Sequence, residues 1–498
     1  MSGVNLSKAL DHVMLVFNTL PSLVGLSLNY CGIKNIHSPR GPLNSTFLTS
    51  VQFLGLKGNG LTGSILNALQ NMTSLRELDL SYQWITPYFG DAAIDNLQGI
   101  SMLSSLQHLD MSGVNLSKAL DLMQVLNTLP SLVGLRLQDC GIKNIHFPRG
   151  SLNSTFLTSV QFVDLSGNGL TGSIPNAVQN MTSLRELDLS NQMISFSVEA
   201  AFDNLQWVSR LSSLQHLDMS GVNLSKALDV MLVLNMLPSL VGLRLNDCGI
   251  KNIHFPRGSL NSTFLTSVQF LDLYGNGLTG SIPNALQNMT SLRELHLNYQ
   301  WTPHYGEAAI DNLQGISRLS SLQHLDMSGV NLSKALDLMQ VLNTLPSLTE
   351  LHLYGCGIQN IHFTCGSLNS TFLESVQFLG LGNNGLKGPI PDALQNMIAV
   401  RSLDLSSNYF NSTIPLWIVN SKSLVDLNLG FNEFKNIEGG MLSMLNKACS
   451  LKSLDLSGNS FLGEMLKRSK NSSRCLTYNL EFLSLIDNGI SGNLPDYL

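Results

Sequence analysis

The apolar residues recur in a fixed pattern. In Val160–Ser183, VQFVDLSGNGLTGSIPNAVQNMTS, the residues Val160, Val163 and Leu165 alternate with polar neighbours, as in a short strand with one buried face. Asn168 follows at the turn, where a buried side-chain amide can satisfy backbone groups. Leu170 re-enters the core, and Gly172, Ile174 and Pro175 predict a tight turn and an extended return path. Val178 and Met181 close the coil, and Leu184 begins another. One such coil cannot bury its apolar face alone, so a stack of them is required.

Strand starts fall at Leu23, Val51, Leu75, Leu106, Leu132, Val160, Leu184, Leu214, Leu240, Val268, Leu292, Leu322, Leu348, Val376, Val400, Leu424, Leu451 and Leu480. Their spacings repeat as about 26, 28, 24 and 30 residues. Residues 1–498 therefore read as one solenoid of about 18 repeats after a partial first one. A four-repeat block of about 108 residues is duplicated over 1–399, with MSGVNLSKALD at Met1, Met111, Met219 and Met327, and 400–498 is more divergent. The turn position carries Asn59, Asn168, Asn276 and Asn384 in one repeat type and Cys31, Cys140, Cys248 and Cys356 in another. A third type has Gln83, Gln192 and Gln300, and the last has Val4, Val114, Val222 and Val330, which offer no side-chain hydrogen bond. The stretch from Ala200 predicts a short helix packing through Phe202, Leu205 and Trp207. Ser112, Gly113, Lys118 and Asp121 recur between copies although packing does not demand them, which points to recent duplication.

Composition narrows the function. Charged residues make up 12% and the net charge is −6, with the basic residues dispersed, which argues against nucleic acid as a partner. No apolar run reaches the length of a membrane span. Met1 falls inside a repeat and Leu498 stops inside another, with no caps and no secretory leader, so the expectation is a fragment of a longer protein. No phosphate-binding, kinase or nucleophile-elbow motif is present, and neither an enzyme nor a cofactor is expected.

The LxGxIP segments Leu170–Pro175 and Leu278–Pro283, with LKGPIP at Leu386–Pro391, look like the plant-type leucine-rich repeat. MSGVNLSKALD and LPSLVGLRLQDCGI resemble plant receptor-like proteins of the Cf and ethylene-inducing-xylanase receptor type. The resemblance implies an α/β repeat fold: a right-handed arc with a parallel β-sheet on its concave face and short helices or 3-10 turns on its convex side. It also implies a plasma-membrane receptor, exposed outside the cell, which senses a peptide, protein or glycan in defence and signals through a co-receptor kinase. The alternatives are a secreted polygalacturonase-inhibitor-like protein, the ectodomain of a receptor kinase, or a non-functional duplicated fragment.

The fifth repeat position projects from the sheet as Asp79, Asp110, Arg136, Asp164, Asp188, Asp218, Arg244, Asp272, His296, Asp326 and His352, a mostly acidic ridge suited to basic or amide-rich partners. The bland reading is that LDLS is simply the strand motif of this repeat. His296, Asp326 and His352 stand on successive strands and could hold a divalent metal, but no fourth ligand is evident and no metal is expected. Thirteen N-x-S/T acceptors occur, at Asn5, Asn44, Asn71, Asn115, Asn153, Asn180, Asn223, Asn261, Asn288, Asn331, Asn369, Asn411 and Asn471. Of seven cysteines, the turn column is too widely spaced to pair, Cys365 stands where other copies have Arg149 and Arg257, and Cys449 with Cys475 could form a disulfide.

Overall fold

The computed structural model describes residues 3–6, 20–33, 49–61, 69, 72–83, 94, 96–143, 154–170, 180–192, 205–227, 230–251, 266–282, 284–300, 309–359, 368–463 and 479–491. The chain forms two compact units, Met1–Cys248 with Gly258–Phe264, and Gly249–Arg257 with Leu265–Leu498.

In the first unit, three-residue strands run in parallel, each paired with the next along the chain: β1 (Gly25–Ser27), β2 (Phe53–Gly55), β3 (Glu77–Asp79), β4 (His108–Asp110), β5 (Gly134–Arg136), β6 (Phe162–Asp164), β7 (Glu186–Asp188), β8 (His216–Asp218) and β9 (Gly242–Arg244). The second unit repeats the arrangement with β10 (Phe270–Asp272), β11 (Glu294–His296), β12 (His324–Asp326), β13 (Glu350–His352), β14 (Phe378–Gly380), β15 (Ser402–Asp404), β16 (Asp426–Asn428), β17 (Ser453–Asp455) and β18 (Phe482–Ser484). Every strand begins two residues after its expected start. The opening apolar residue, such as Leu106, is buried but precedes the paired segment.

Register is set by the inward residue. Leu78 pairs with Leu109, and Leu325 with Leu351, so a slip by one residue would turn the leucines outward. Short helices such as Leu122–Leu126 and Leu338–Leu342 return the chain. Five residues cannot hold a helix in water, so burial of Leu122, Met123, Val125 and Leu126 must hold the first of these. The helix expected from Ala200 is, among the described residues, a 3-10 turn at Val208–Arg210. Leu205 and Trp207 are buried as anticipated, while Phe202 lies outside the described residues. Around Gly172 to Val178 the chain also lies outside them. In the second unit the equivalent LxG stretches form further two-stranded parallel pairs, such as Lys387–Gly388 with Tyr409–Phe410.

The turn column closes each coil. The Asn168 side chain donates to the carbonyls of Leu137 (2.7 Å) and Leu165 (2.8 Å), and accepts from the amides of Cys140 (3.1 Å) and Ile142 (3.0 Å). Gln192 does the same one coil later, donating to Leu165 and Leu189 and accepting from Leu170. The valine turns solve their deficit through backbone and neighbour. The Val114 amide folds back on the Met111 carbonyl (3.0 Å), and the Leu116 amide reaches the carbonyl of Cys140 (2.9 Å). The thiol of Cys140 donates to that same Met111 carbonyl at 3.1 Å. Met219 with Cys248, and Met327 with Cys356, repeat this contact at 3.1 Å. Burial pushes the thiols of Cys140, Cys248 and Cys356 up, which keeps them as donors.

The backbone before each turn residue is left-handed, as at Gly167 (φ 68°), Asp139 (φ 54°) and Tyr299 (φ 50°). At Tyr299 this costs roughly 1 kcal/mol against glycine. Its ring lies over Gly329, where an added Cβ would come within 2.9 Å of Cδ1.

Recurring positions that looked unconstrained have structural work. Asp121 Oδ2 accepts from the Leu97 amide (3.1 Å) and from Gln98 (3.2 Å), and Asp337 repeats this with Leu313 and Gln314. Ser112 is buried and its amide donates to Asp110, and Gly113 is left-handed (φ 68°). Nothing in the structure demands Lys118. Replacing Asn168 by alanine strips partners from two buried amides and two carbonyls, and is expected to cost about 2–4 kcal/mol. Cys140→Ala is expected to cost about 1 kcal/mol, because Met111 keeps the Val114 amide. Urea-denaturation midpoints followed by circular dichroism compare the two; equal shifts would contradict this account.

Candidate functional site

Alternation along strands such as β3, β4 and β7 turns the first and third residues outward while the central one is buried. The expected ridge occupies the third strand position. Register places Asp79, Asp110, Arg136, Asp164, Asp188, Asp218 and Arg244 side by side in the first unit. Asp272, His296, Asp326 and His352 form a second run in the second unit. The aspartates are half-buried and the two arginines exposed.

Each aspartate of the ridge has a structural task. One oxygen accepts the amide two residues on: Asp79 from Ser81, Asp164 from Ser166, Asp188 from Ser190, Asp218 from Ser220, Asp272 from Tyr274 and Asp326 from Ser328, at 2.8–3.1 Å. The LDLS motif is therefore a turn device first, and a ligand surface only through its second oxygen. Arg244, open to solvent, approaches the half-buried Asp218 at 3.9 Å, a long contact of little energetic weight. The Arg136 guanidinium lies 5.0 Å from the ring centre of Phe162. Burial raises the carboxyl of Asp188 above its usual range, and the charges of Asp218 and Asp164 raise it further, against hydrogen bonds from Ser190.

The outward first-position column went unread as a surface, although the same alternation places it beside the ridge. Here His108 lies against Gly134 and His216 against Gly242, where a Cβ would come within 2.6 and 2.7 Å of the ring nitrogen. In the second unit Glu350 replaces that glycine and meets His324 Nδ1 at 2.9 Å. The trio of His296, Asp326 and His352 stands on successive strands as read, at the third position of each. Asp326 is engaged by its own turn at Ser328, and the groups that gather are His324, Glu350 and His352, whose candidate ligand atoms all lie within 4.8 Å of one another. Burial lowers the pKa of His352; the next largest influence, Asp326, opposes this.

Among the acceptor sites, Asn44, Asn71, Asn153, Asn261 and Asn471 lie outside the described residues. Asn5, Asn180, Asn288, Asn369 and Asn411 are exposed, whereas Asn115, Asn223 and Asn331 are half-buried and accept from the serine of their own triplet at 2.7 Å. Asn369 caps the helix Ser370–Ser375 and donates through Nδ2 to the Asn343 carbonyl at 2.9 Å. Cys449 is disulfide-bonded, while Cys365 and Cys475 lie outside the described residues. Among the described residues no helix is long and apolar enough to cross a membrane.

The raised carboxyl of Asp188 has a defined linkage sign. A carboxyl whose folded pKa exceeds its unfolded value contributes stability at low pH that is lost as pH rises through the folded pKa. Asp188→Asn keeps an acceptor for Ser190 and removes the charge. The variant is expected to melt at a higher temperature than wild type at pH 7, and to lose that advantage below the ordinary aspartate range. Thermal scans at pH 7 and pH 3 read this out.

A family model described as Leucine Rich Repeat matches residues 159–181, 267–289, 375–397, 399–421 and 450–470. Receptor-like protein 35 of Arabidopsis thaliana is 28% identical over 431 residues, covering 80% of this chain and 38% of that protein. Receptor-like protein EIX1 of Solanum lycopersicum is 28% identical over 206 residues, covering 40% of this chain and 19% of that protein. The chain thus spans well under half the length of these relatives. The solved plant peptide hormone receptor RGFR1, in complex with RGF2, is 20% identical with a TM-score of 0.50, covering 96% of this chain and 77% of that one, a likeness of fold. These matches bear out the resemblance read from the LxGxIP and MSGVNLSKALD motifs: the fold is that of leucine-rich repeats, and the chain's relatives are plant receptor-like proteins.

Proposed function

We propose that this chain is the ligand-binding repeat region of a plant cell-surface receptor-like protein. It captures an extracellular peptide, protein or glycan on the open face of its sheet, in defence perception, and passes the signal through a co-receptor kinase. The observation that supports this most is the row Asp164, Asp188 and Asp218 on three adjacent strands, each with one oxygen committed to its turn. A row of carboxylates held this way attracts lysine, arginine or amide groups. The strands are already ordered, so a ligand meets a rigid platform and loses little affinity to ordering it. The relatives are called receptor-like proteins, and the solved neighbour is a peptide hormone receptor with its partner bound, which favours a peptide. The reading is of binding rather than catalysis, at the outer side of the plasma membrane.

The test immobilises the full chain and screens secreted peptides, proteins and wall glycans. The triple variant Asp164→Asn, Asp188→Asn, Asp218→Asn retains the serine hydrogen bonds and loses the charges. The captured ligand is expected to bind it about tenfold more weakly, roughly 1.4 kcal/mol. Binding unchanged in this variant and insensitive to salt would refute the acidic face as the site.

Passage through a secretory route is expected to load glycans at exposed Asn180, Asn288 and Asn411. Occupancy should be lower at Asn369, whose Nδ2, the atom a glycan joins, is held by Asn343. Site-by-site peptide mapping after enzymatic deglycosylation measures this order.

A further inference from the structure

Five rings form a row across the open face of the second unit, some pairs stacked and some tilted, alternating between first and third strand positions. Phe270 to His296 is 5.5 Å between centroids, His296 to His324 4.9 Å, His324 to His352 4.9 Å and His352 to Phe378 4.2 Å. The row brings three imidazoles onto neighbouring strands beside two carboxylates. Glu350 Oε2 lies 2.9 Å from His324 Nδ1 and 4.0 Å from His352 Nε2, and Glu294 Oε2 lies 4.0 Å from His296 Nε2. The Nε2 atoms of His296 and His352 are shut off from solvent and make no hydrogen bond. A buried ring nitrogen without a partner is costly, and such groups call for an explanation.

We propose that His324, Glu350 and His352 form a binding site for a divalent cation of the zinc class. Two imidazoles and one carboxylate suit a borderline ion, which binds such ligands tetrahedrally at about 2.0–2.2 Å. That geometry sets ligand atoms about 3.4 Å apart. The observed separations, from 2.9 Å to no more than 4.8 Å, bracket this value, so a swing of the exposed Glu350 side chain together with a small approach of the two imidazoles admits the ion. The ion would replace the His324–Glu350 hydrogen bond and give His352 Nε2 the partner it lacks. These three residues fill three positions, and the fourth stays open to water or to a donor from a bound ligand.

The duplicated blocks supply an internal control. Where the second unit has Glu350 and His352, the first has Gly134 with Arg136, and Gly242 with Arg244. His108 and His216 therefore face a glycine and an arginine strand, and neither can assemble this set.

The probe is zinc alone, titrated calorimetrically into the full chain after chelator stripping, with cobalt(II) absorption reporting coordination. Wild type is expected to take up one equivalent at this site, with a tetrahedral cobalt spectrum. Glu350→Gln, on an exposed side chain that the fold does not need, and His352→Asn are each expected to weaken that uptake at least tenfold. His216→Asn should leave it unchanged. Absence of saturable uptake, or uptake that Glu350→Gln leaves intact, overturns the proposal. Circular dichroism of each variant verifies the fold, and Glu350→Gln decides the matter should His352→Asn fail to fold.

Discussion

A strand of three residues followed by a sharp inward turn leaves amides and carbonyls facing an apolar interior, and everything else in this chain depends on answering them. Burying such groups unpaired costs about 1–3 kcal/mol each. Each coil therefore depends on its neighbour: the side chain of one turn reaches back to the carbonyl of the previous turn while receiving that turn's amides. Leucine packing supplies the driving force for stacking, but this column of polar contacts decides where each coil sits on the next. From Asn384 to Asn459 asparagine alone serves, and each amide group also donates to the carbonyl three residues before it, as from Asn408 to Leu405 and from Asn432 to Leu429.

The duplicated part uses a mixed set, and this is where the sequence could be read least well. Inward leucines and the asparagine turn were legible because packing and amide chemistry leave them few alternatives. The valine turns were not, since their solution lies in a thiol from the following coil and in a backbone bend, neither of which leaves a mark at the valine itself. Asp121 and Asp337 looked like ornament because their partners are main-chain amides, which are present at every position and so distinguish none.

The open face divides in a similar way. The ridge of aspartates could be placed from its period, but half of each carboxylate is spent on the turn beneath it. Histidines were legible one column at a time, whereas the row from Phe270 to Phe378 crosses between columns and so emerges only when strands are set side by side. Copies that share nearly all their residues differ at the positions now occupied by Glu350 and His352. The inward leucines and the turn residues are kept while the chemistry of this patch differs.

The mixed turn column also gives the array a phase. In the duplicated part each cysteine turn follows a valine coil, whose carbonyl its thiol meets, and each glutamine turn follows an asparagine coil, whose amide it receives. Excising or inserting a single coil would set mismatched faces together and strand main-chain groups at the splice. Removing a whole set of four restores every match. Length variants of the duplicated part should therefore tolerate change by full sets and resist it by ones, twos or threes, much as a screw thread accepts only complete turns.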